Sequence, residues 1–343
     1  MRKKCILHGG MPKTGSTAIQ ETFFESSSPD FVYAPLILGN HNFAIEYLFG
    51  EDGKDRLESV PARQIPKQFH RKARNLAEHF EAFLQSNTRD VLISSEYLSS
   101  LRILDGRDEL LKFLRPHFDE VHFIAYVRAP EDYMVSSLQQ CMQSSDYLFD
   151  LELVSPHYRQ RFQPWIDALG AENVTLVAYD PSRFPDGNVV LDFAERLGVR
   201  VDSAGNERHN TAQSAEAIAV QQLWNRRLNA GNLSFYQRAR ISFGRREVLS
   251  FGTHEFGIEP ELLQDICQRH QDDIAWAEEQ LAQSFVQYKP KPDAVLFKSE
   301  EHFSDFAKNA ERSFWSHVAA NWSWRRQSLP AIEAFGRTLS REE

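Results

Sequence analysis

The sequence lacks several features that would assign it to a functional class directly. Its 343 residues include only three cysteines, whose wide spacing forms neither a metal site nor a C-x-x-C motif, so we expect thiols in a reducing compartment. No apolar run is long enough to cross a membrane, and no internal repeat or low-complexity linker is present. Positive charge is also scarce, since 39 Lys and Arg residues face 48 Asp and Glu residues, a net charge of −9. We therefore expect a cytoplasmic protein with neither a membrane nor a nucleic-acid partner.

The sequence does contain a regular alternation of short apolar runs and helical segments. Five runs rich in apolar and β-branched residues predict strands at 4–8, 31–34, 90–94, 121–127 and 173–179. The segments between them predict helices at 67–85, at 109–114, from Pro130 onward and at 189–197. This order predicts an α/β fold with a mostly parallel sheet and helices on both faces.

After residue 200 the pattern becomes helical. Segments 213–228 and 260–287 and the aromatic-rich tail 303–324 have amphipathic spacing. We therefore expect an α/β core at residues 1–200 and a mainly helical C-terminal part at 201–343 that packs on it. The basic stretch 238–246 fits either a solvated surface or a phosphate contact, and the aromatic residues of the tail fit either packing or a wall of an acceptor site.

The most informative segment, residues 10–17, follows the first predicted strand and leads into a helical segment. Such a strand–turn–helix junction binds phosphate groups, because the N–H groups of the turn and the helix dipole both favour an anion. Three positions match the phosphate-loop pattern G-x-x-x-x-G-K-[ST]: Gly10, Gly15 and Thr17. Ser16 stands where that pattern has its lysine, and a lysine occurs earlier in the loop, at Lys13. The sequence therefore predicts a modified phosphate loop.

A second motif follows the predicted strand at 121–127. Arg128 stands at the end of the strand, Pro130 fits the first turn of a helix, and two acidic residues come next, where a helix N-terminus favours them. Ser136 lies further along the same helix. Because an arginine fork and a serine hydroxyl can converge on one anion, we expect both side chains at the same phosphate group.

Together the two motifs resemble those of the sulfotransferase superfamily, which takes sulfate from 3′-phosphoadenosine-5′-phosphosulfate (PAPS). Pro12-Lys13-Thr14-Gly15-Ser16-Thr17 is similar to its 5′-phosphosulfate loop, and Arg128-Ala129-Pro130-Glu131-Asp132 with Ser136 is similar to its 3′-phosphate motif. The resemblance implies that these residues bind PAPS as the sulfate donor, that no metal is needed, and that the acceptor is a hydroxyl of a carbohydrate or small molecule. The sequence departs from cytosolic sulfotransferases in having no late Arg-Lys-Gly stretch for the nucleotide.

Sulfuryl transfer builds negative charge on the departing phosphate, so it needs a cation there and a base on the acceptor. Lys13 is the candidate cation. Glu96 follows the predicted strand at 90–94 and should face the same cleft, so it is the candidate base, with a structural ion pair or helix cap as its alternative role. His41 is the second candidate base, and a hydrogen-bonding role is its alternative.

One further segment is a candidate for binding the nucleotide. Arg208 and Asn210 precede a predicted helix, and similar Asn-containing segments of related sulfotransferases lie near the cofactor; capping of that helix is the alternative role. Two other functions stay open, an ATP-dependent P-loop kinase and a non-catalytic protein that binds 3′-phosphoadenosine nucleotides. The missing lysine at Ser16 and the separate motif at Arg128 argue against the kinase.

Overall fold

The computed structural model describes residues 3–25, 31–50, 69, 72–103, 106–144, 149–201 and 213–322. By its internal contacts the chain divides into two compact units. The first unit contains residues 1–137, 154–210 and 264–288, and the second contains residues 138–153, 211–263 and 289–343. Each unit is therefore assembled from separate stretches of sequence, whereas the expected division at residue 200 is continuous.

A five-stranded parallel sheet forms the centre of the first unit. Its strands are β1 (Lys4–His8), β2 (Phe31–Tyr33), β3 (Asp90–Ser94), β4 (Glu120–Val127) and β5 (Val174–Ala178). They lie in the order β2-β3-β1-β4-β5, and each neighbouring pair is parallel. In this register Leu7 of β1 pairs with Ile93 of β3 and with Phe123 of β4. All five strands end at one edge of the sheet, where parallel α/β folds bind their ligands, and the predicted fold class is confirmed.

Helices cover both faces of this sheet. Up to residue 200 they are α1 (Ser16–Glu25), α2 (Asn42–Phe49), α3 (Leu76–Ser86), α4 (Gly106–Leu114), α5 (Pro130–Ser144), α6 (Tyr158–Leu169) and α7 (Val189–Leu197). Leu7, Ile93 and Phe123 belong to one core, with residues of α3, α4 and α6. Leu92 and Tyr126, which alternate with them along the strands, belong to a second core with α1 and α7. In the described part of the chain, no helix has both the length and the apolar composition of a membrane span.

Local signals explain where α7 begins and ends, and its bounds are those predicted. Asn188 caps its N-terminus, because the side-chain oxygen accepts the Val190 N–H at 2.8 Å. Gly198 ends it in a left-handed conformation, with a φ of 67° that glycine adopts without a steric penalty. A helix fixed at both ends in this way holds its side chains in a defined position against the sheet.

The part after residue 200 is mainly helical, as predicted. Its helices are α8 (Ala215–Asn229), α9 (Phe235–Glu247), α10 (Pro260–Arg269), α11 (Gln271–Leu281) and α12 (Glu300–Trp322). Within the second unit α8, α9 and α12 share a core that includes Trp224, Ile241 and Phe314. Phe314 and the equally buried Phe303 come from the aromatic tail, so these two aromatic side chains serve packing.

Three features after residue 200 differ from the predictions, and the first is α9, since no helix was predicted for its basic stretch. The continuous helix predicted at 260–287 is wrong: the chain leaves the helical conformation at His270, whose carbonyl then accepts the N–H groups of Asp273 and Ile274 in the next helix. A parallel pair of strands, β6 (Glu255–Ile258) and β7 (Ala294–Phe297), was not predicted. Each has four residues, too few for a period-two pattern to stand out.

Candidate phosphate-binding site

The loop between β1 and α1 is folded around one carbonyl group. Thr14 Oγ1 donates to the Met11 carbonyl at 2.6 Å, and Ser16 Oγ donates to the same oxygen at 3.2 Å. Three residues of the loop have positive φ angles: Gly10 at 80°, Lys13 at 69° and Gly15 at 78°. Because the two hydroxyls bond inward, they fix the shape of the loop without using the backbone N–H groups of residues 13–17.

The loop is held from two sides by β4 and α7. Met11 N–H donates to the Tyr126 carbonyl at 2.9 Å, and Tyr126 N–H donates to the Gly10 carbonyl at 2.6 Å. On the other side Gly15 lies so close to α7 that an added Cβ would be 2.7 Å from Val189 Cγ1. Both its positive φ and this close approach require glycine at position 15, as the phosphate-loop pattern predicted.

The N–H groups of residues 13–17 form the binding surface of the loop. Among the described residues none of these five groups donates a hydrogen bond, although Thr14 and Ser16 are buried. Buried N–H groups ordinarily have partners, and those at the start of α1 also lie at the positive end of the helix dipole. The loop therefore has the donor arrangement of an anion site and fits a phosphate or phosphosulfate group.

Arg128 lies directly beside this loop. Its Nη1 donates to the Lys13 carbonyl at 2.8 Å, and its guanidinium lies 5.9 Å from the centre of the Tyr179 ring. Tyr158 fixes the backbone at this position, since its hydroxyl donates to the Arg128 carbonyl at 2.5 Å. Arg128 Nε is buried and has no hydrogen-bond partner in the described part of the chain. The structure thus brings the two sequence motifs together and leaves a guanidinium donor available to an anion.

Ser136 lies on α5, nearly two turns after its start, and is buried. Among the described residues it makes no hydrogen bond to Arg128. Its predicted role at the same phosphate group therefore stays a prediction. Pro12 is half-buried in the loop and Thr17 is exposed at the start of α1. Arg208 and Asn210 lie outside the described residues.

Glu96 lies against the glycine side of the loop. It begins a short 3₁₀ turn, Glu96–Ser99, immediately after β3. A Cβ added to Gly10 would be 3.2 Å from Glu96 Cγ, so the two segments are in van der Waals contact. Asn42 fixes the turn, because its Oδ1 accepts the Ser95 hydroxyl at 2.8 Å and the Tyr97 N–H at 3.2 Å. The carboxylate is therefore positioned at the loop by the end of β3 and the start of α2.

Arg128 and Glu96 both act on the pKa of Lys13, and Lys13 acts on the pKa of Glu96. Desolvation lowers the pKa of Lys13, the positive charge of Arg128 lowers it further, and the Glu96 charge opposes both. Desolvation raises the pKa of Glu96, while the nearby Ser16 hydroxyl, the Lys13 charge and Asn42 oppose that rise. The raised pKa makes the Glu96 carboxylate a stronger base than an ordinary glutamate.

His41 is held differently. Its ring is completely buried, and Nδ1 accepts the Ser94 N–H at 3.1 Å. Burial lowers the pKa of His41 to about 3, so the ring is neutral at physiological pH. A buried ring whose Nδ1 already accepts a hydrogen bond is poorly placed to receive a proton from a substrate. These contacts favour Glu96 over His41 as the candidate base.

The structure adds three residues that sequence reasoning did not identify. His8 ends β1 directly before the loop, and its Nδ1 is 2.7 Å from Ser94 Oγ in the core. Tyr126, whose backbone pairs with the loop, donates its hydroxyl to Asp192 of α7 at 2.6 Å. A polar residue such as His8 at the end of an apolar strand could have been identified from the sequence as a candidate site residue. Nothing in the sequence pairs Tyr126 with a carboxylate 66 residues away.

The described residues contain no group of three or more His, Cys, Asp or Glu side chains that could hold a metal ion. The loop and Arg128 offer N–H donors and positive charge. Such a set of donors suits the phosphate groups of a nucleotide.

Comparisons with known proteins give limited matches. The sequence matches no protein-family model. An uncharacterised protein of Archaeoglobus fulgidus is 26% identical over 157 residues, which are 44% of this chain and 42% of that protein, so the match spans less than half of its length.

Three solved structures show low similarity. A sulfotransferase domain from the curacin biosynthetic pathway has a TM-score of 0.38 and 14% identity, covering 59% of this chain and 76% of that domain. A sulfotransferase domain from the Synechococcus olefin synthase has a TM-score of 0.36 and 16% identity, covering 90% of this chain and 93% of that domain. A gluconokinase from Sinorhizobium meliloti has a TM-score of 0.28 and 13% identity, covering 57% of this chain and 93% of the gluconokinase. These TM-scores are low, and we draw no functional inference from them.

Proposed function

We propose that this chain is a cytoplasmic sulfotransferase that transfers the sulfuryl group of PAPS to an acceptor hydroxyl on a carbohydrate or another small molecule. The observation that carries the proposal is the contact between Arg128 and Lys13, which places a guanidinium beside a loop whose N–H groups at residues 13–17 donate to no described residue. PAPS has two separate phosphate positions, at the 3′ and 5′ carbons of its ribose. The loop suits the 5′-phosphosulfate and Arg128 suits the 3′-phosphate.

The residues of the loop have distinct roles in this proposal. PAPS supplies a sulfuryl group whose bond to the 5′-phosphate breaks as the acceptor oxygen bonds to sulfur. The N–H groups of residues 13–17 and the ammonium of Lys13 stabilise the negative charge that develops on the departing phosphate. Lys13 acts as a point charge on a flexible stem, while the fork of Arg128 fixes the orientation of the nucleotide.

Glu96 is the proposed base in this site. Its carboxylate takes the proton of the acceptor hydroxyl, which makes the acceptor oxygen more nucleophilic as it approaches sulfur. The proposal is supported by the position of Glu96 against Gly10 and by the influence of Lys13 on its charge. Desolvation raises the pKa of Glu96, which suits a base that must hold a proton during turnover.

Ligand-dependent thermal unfolding tests the nucleotide preference. We expect the wild type to bind 3′-phosphoadenosine-5′-phosphate, the product nucleotide, at least tenfold more tightly than ADP. Arg128→Ala should remove most of that preference, because a charge-assisted hydrogen bond contributes about 1.5–3 kcal/mol, or roughly 10- to 150-fold. Arg115→Ala is the matched control, since Arg115 is an exposed arginine just before β4, at the opposite edge of the sheet.

The same assay separates the alternatives. Equal affinity of the wild type for the two nucleotides would overturn the assignment of Arg128 to a 3′-phosphate. Preference for ATP, together with turnover that stops when a chelator removes Mg²⁺, would identify a P-loop kinase. Tight binding of the product nucleotide with no sulfuryl transfer to a panel of sugars and small alcohols would identify a non-catalytic binding protein.

A further inference from the structure

Asn42, the first residue of α2, contacts the residues on both sides of Glu96. Its Oδ1 accepts the Ser95 hydroxyl at 2.8 Å and the Tyr97 N–H at 3.2 Å. An amide oxygen has two lone pairs, and these two contacts use both. The orientation of the amide is thereby fixed, because only its oxygen can accept from an N–H group. The N–H donors of Asn42 remain on the other branch of the amide.

The backbone around Asn42 is held in place as well. Asn40 Oδ1 accepts the Asn42 N–H at 2.8 Å. His41 joins the same segment to the end of β3, since its Nδ1 accepts the Ser94 N–H at 3.1 Å and its own N–H donates to the Ser94 carbonyl at 3.3 Å. His41 is completely buried and Asn42 is half-buried. The Asn42 amide therefore has a defined position relative to the turn that carries Glu96.

Asn42 also acts on the Glu96 carboxyl group itself. It opposes the rise in the pKa of Glu96 that desolvation causes, which is the effect of a donor that stabilises the ionised carboxylate. Ser16 and the charged Lys13 act in the same direction from the phosphate-binding loop. On the side of α2 the titratable His41 is neutral, because burial lowers its pKa to about 3. Asn42 therefore influences Glu96 as a polar group and not as a charge.

We propose that Asn42 is a positioning residue for Glu96, whose amide oxygen holds the turn while its amide N–H groups orient the carboxylate toward the acceptor hydroxyl. This inference rests on the proposed function, in which Glu96 is the base. A carboxylate that rotates freely presents its oxygens in many directions, so a fixed orientation favours proton transfer. Because an N–H donor stabilises the ionised form, Asn42 also keeps Glu96 deprotonated at a lower pH than desolvation alone would allow.

Asn42→Asp separates the two parts of this role. The new carboxylate is nearly isosteric and can still accept the Ser95 hydroxyl and the Tyr97 N–H, so the turn keeps its contacts. It has no N–H groups, so Glu96 loses a donor and gains a neighbouring negative charge. Both changes raise the pKa of Glu96 relative to the wild type.

The pH profile of kcat measures this effect, with PAPS and the acceptor that the panel of sugars and small alcohols identifies. In Asn42→Asp its acid limb should move to higher pH by at least about one unit, the effect of losing a charge-assisted hydrogen bond. The plateau value of kcat should fall at least about tenfold, because the carboxylate is no longer oriented. Affinity for the product nucleotide should change little, since Asn42 does not contact the loop of residues 13–17.

Two further variants complete the test. Asn40→Asp is the matched control, because it makes the same chemical change two residues earlier, at an exposed side chain whose oxygen can still accept the Asn42 N–H. Its pH profile should match that of the wild type. Asn42→Ala removes the amide oxygen as well as the N–H groups. The acid limb should again move to higher pH, and the urea midpoint should fall because the turn loses an acceptor.

Carbon-13 NMR titration of the Glu96 carboxyl reports the same effect without turnover. In protein labelled at the glutamate carboxyls, the Glu96 signal is the one that disappears in Glu96→Gln. Its midpoint should move to higher pH in Asn42→Asp and Asn42→Ala and should stay in place in Asn40→Asp. If the wild type transfers no sulfuryl group but the midpoint moves in this way, the proposed function fails and the hold of Asn42 on the carboxylate stands.

Two results would overturn the role of Asn42. An unchanged Glu96 midpoint and full turnover in Asn42→Asp would show that only the amide oxygen matters and that the residue is structural. Equal shifts in Asn40→Asp and Asn42→Asp would show a general effect of added charge instead of a donated hydrogen bond. Either result leaves Glu96→Gln as an independent test of the base.

Discussion

Glu96→Gln should abolish most of the turnover while leaving the fold intact or more stable. The amide keeps the size of the side chain and cannot accept the proton of an acceptor hydroxyl. Loss of a general base lowers the rate by roughly 10²–10⁴-fold, equivalent to about 2.7–5.4 kcal/mol of transition-state stabilisation. Binding of the product nucleotide should change little, because its proposed ligands are Arg128 and the N–H groups of residues 13–17.

The effect of the same substitution on stability depends on pH. Desolvation raises the pKa of Glu96 above its ordinary value of 4.5, so the native state holds this proton more tightly than the unfolded state does. Above pH 4.5 the native state therefore binds more protons than the unfolded state does, and the stability of the protein falls with rising pH until the native carboxyl is also ionised. Glu96→Gln removes this loss. The variant should therefore gain stability relative to the wild type between pH 4.5 and 7.

Three measurements decide the role of Glu96: initial rates of sulfuryl transfer, thermal shift by the product nucleotide, and unfolding midpoints at pH 4.5 and 7. Glu21→Gln serves as the control, since Glu21 is an exposed carboxylate on α1 near the same loop. Full turnover in Glu96→Gln would refute the assignment of the base. A variant that is less stable at pH 7 than at pH 4.5, relative to the wild type, would show that the carboxylate is a structural partner of Lys13.

Other substitutions test the loop and its supports. Lys13→Ala should lower kcat by roughly 10²–10³-fold with a smaller loss of product-nucleotide affinity, measured by steady-state rates and thermal shift; an equal loss of both would mean a ground-state contact. Gly15→Ala should lower the free energy of unfolding by about 2–6 kcal/mol, from backbone strain and the clash with Val189, measured by urea unfolding. In the double variant Gly15→Ala, Val189→Ala the clash is removed, so its cost should be less than the sum of the two single costs, and strict additivity would contradict this. Tyr126→Phe should cost about 1–3 kcal/mol because Asp192 loses a buried donor, and an unchanged urea midpoint would contradict that.

The sequence predicted the parallel sheet and the positions of its strands along the chain well, for physical reasons, but not the order of the strands within the sheet. β3 has the predicted bounds because an apolar run such as 90–94 is buried on both faces of a parallel sheet and is followed by a polar turn. α7 was equally clear, since Asn188 and Gly198 mark its two ends. Where such end signals are missing the prediction failed. No glycine or proline marks the break at His270, where two helices replace the predicted one.

The sequence could predict which chain segments form the candidate site. It could not predict the long-range contacts between them. Loop 10–17 and Arg128 could be placed at the same sheet edge, because parallel strands share a direction. The burial of His41 could not be read from an isolated loop histidine, since it depends on packing against β3. The pairing of Tyr126 with Asp192 likewise depends on how α7 lies on the sheet. Sequence pattern fixes which face a residue occupies, and tertiary packing decides which residues on that face meet.

The geometry of the loop explains why its lysine stands at position 13 rather than 16. Ser16 is buried, and its hydroxyl donates to the Met11 carbonyl inside the loop. A lysine at that position would place an ammonium where a hydroxyl now fits, at the cost of burying a charge. Lys13, by contrast, reaches solvent on the outer side of the loop, although its surroundings desolvate it enough to lower its pKa, and its carbonyl binds Arg128. Lys13 and Arg128 therefore supply positive charge together from the outer side of the loop. No cationic side chain is needed at position 16, at the start of α1.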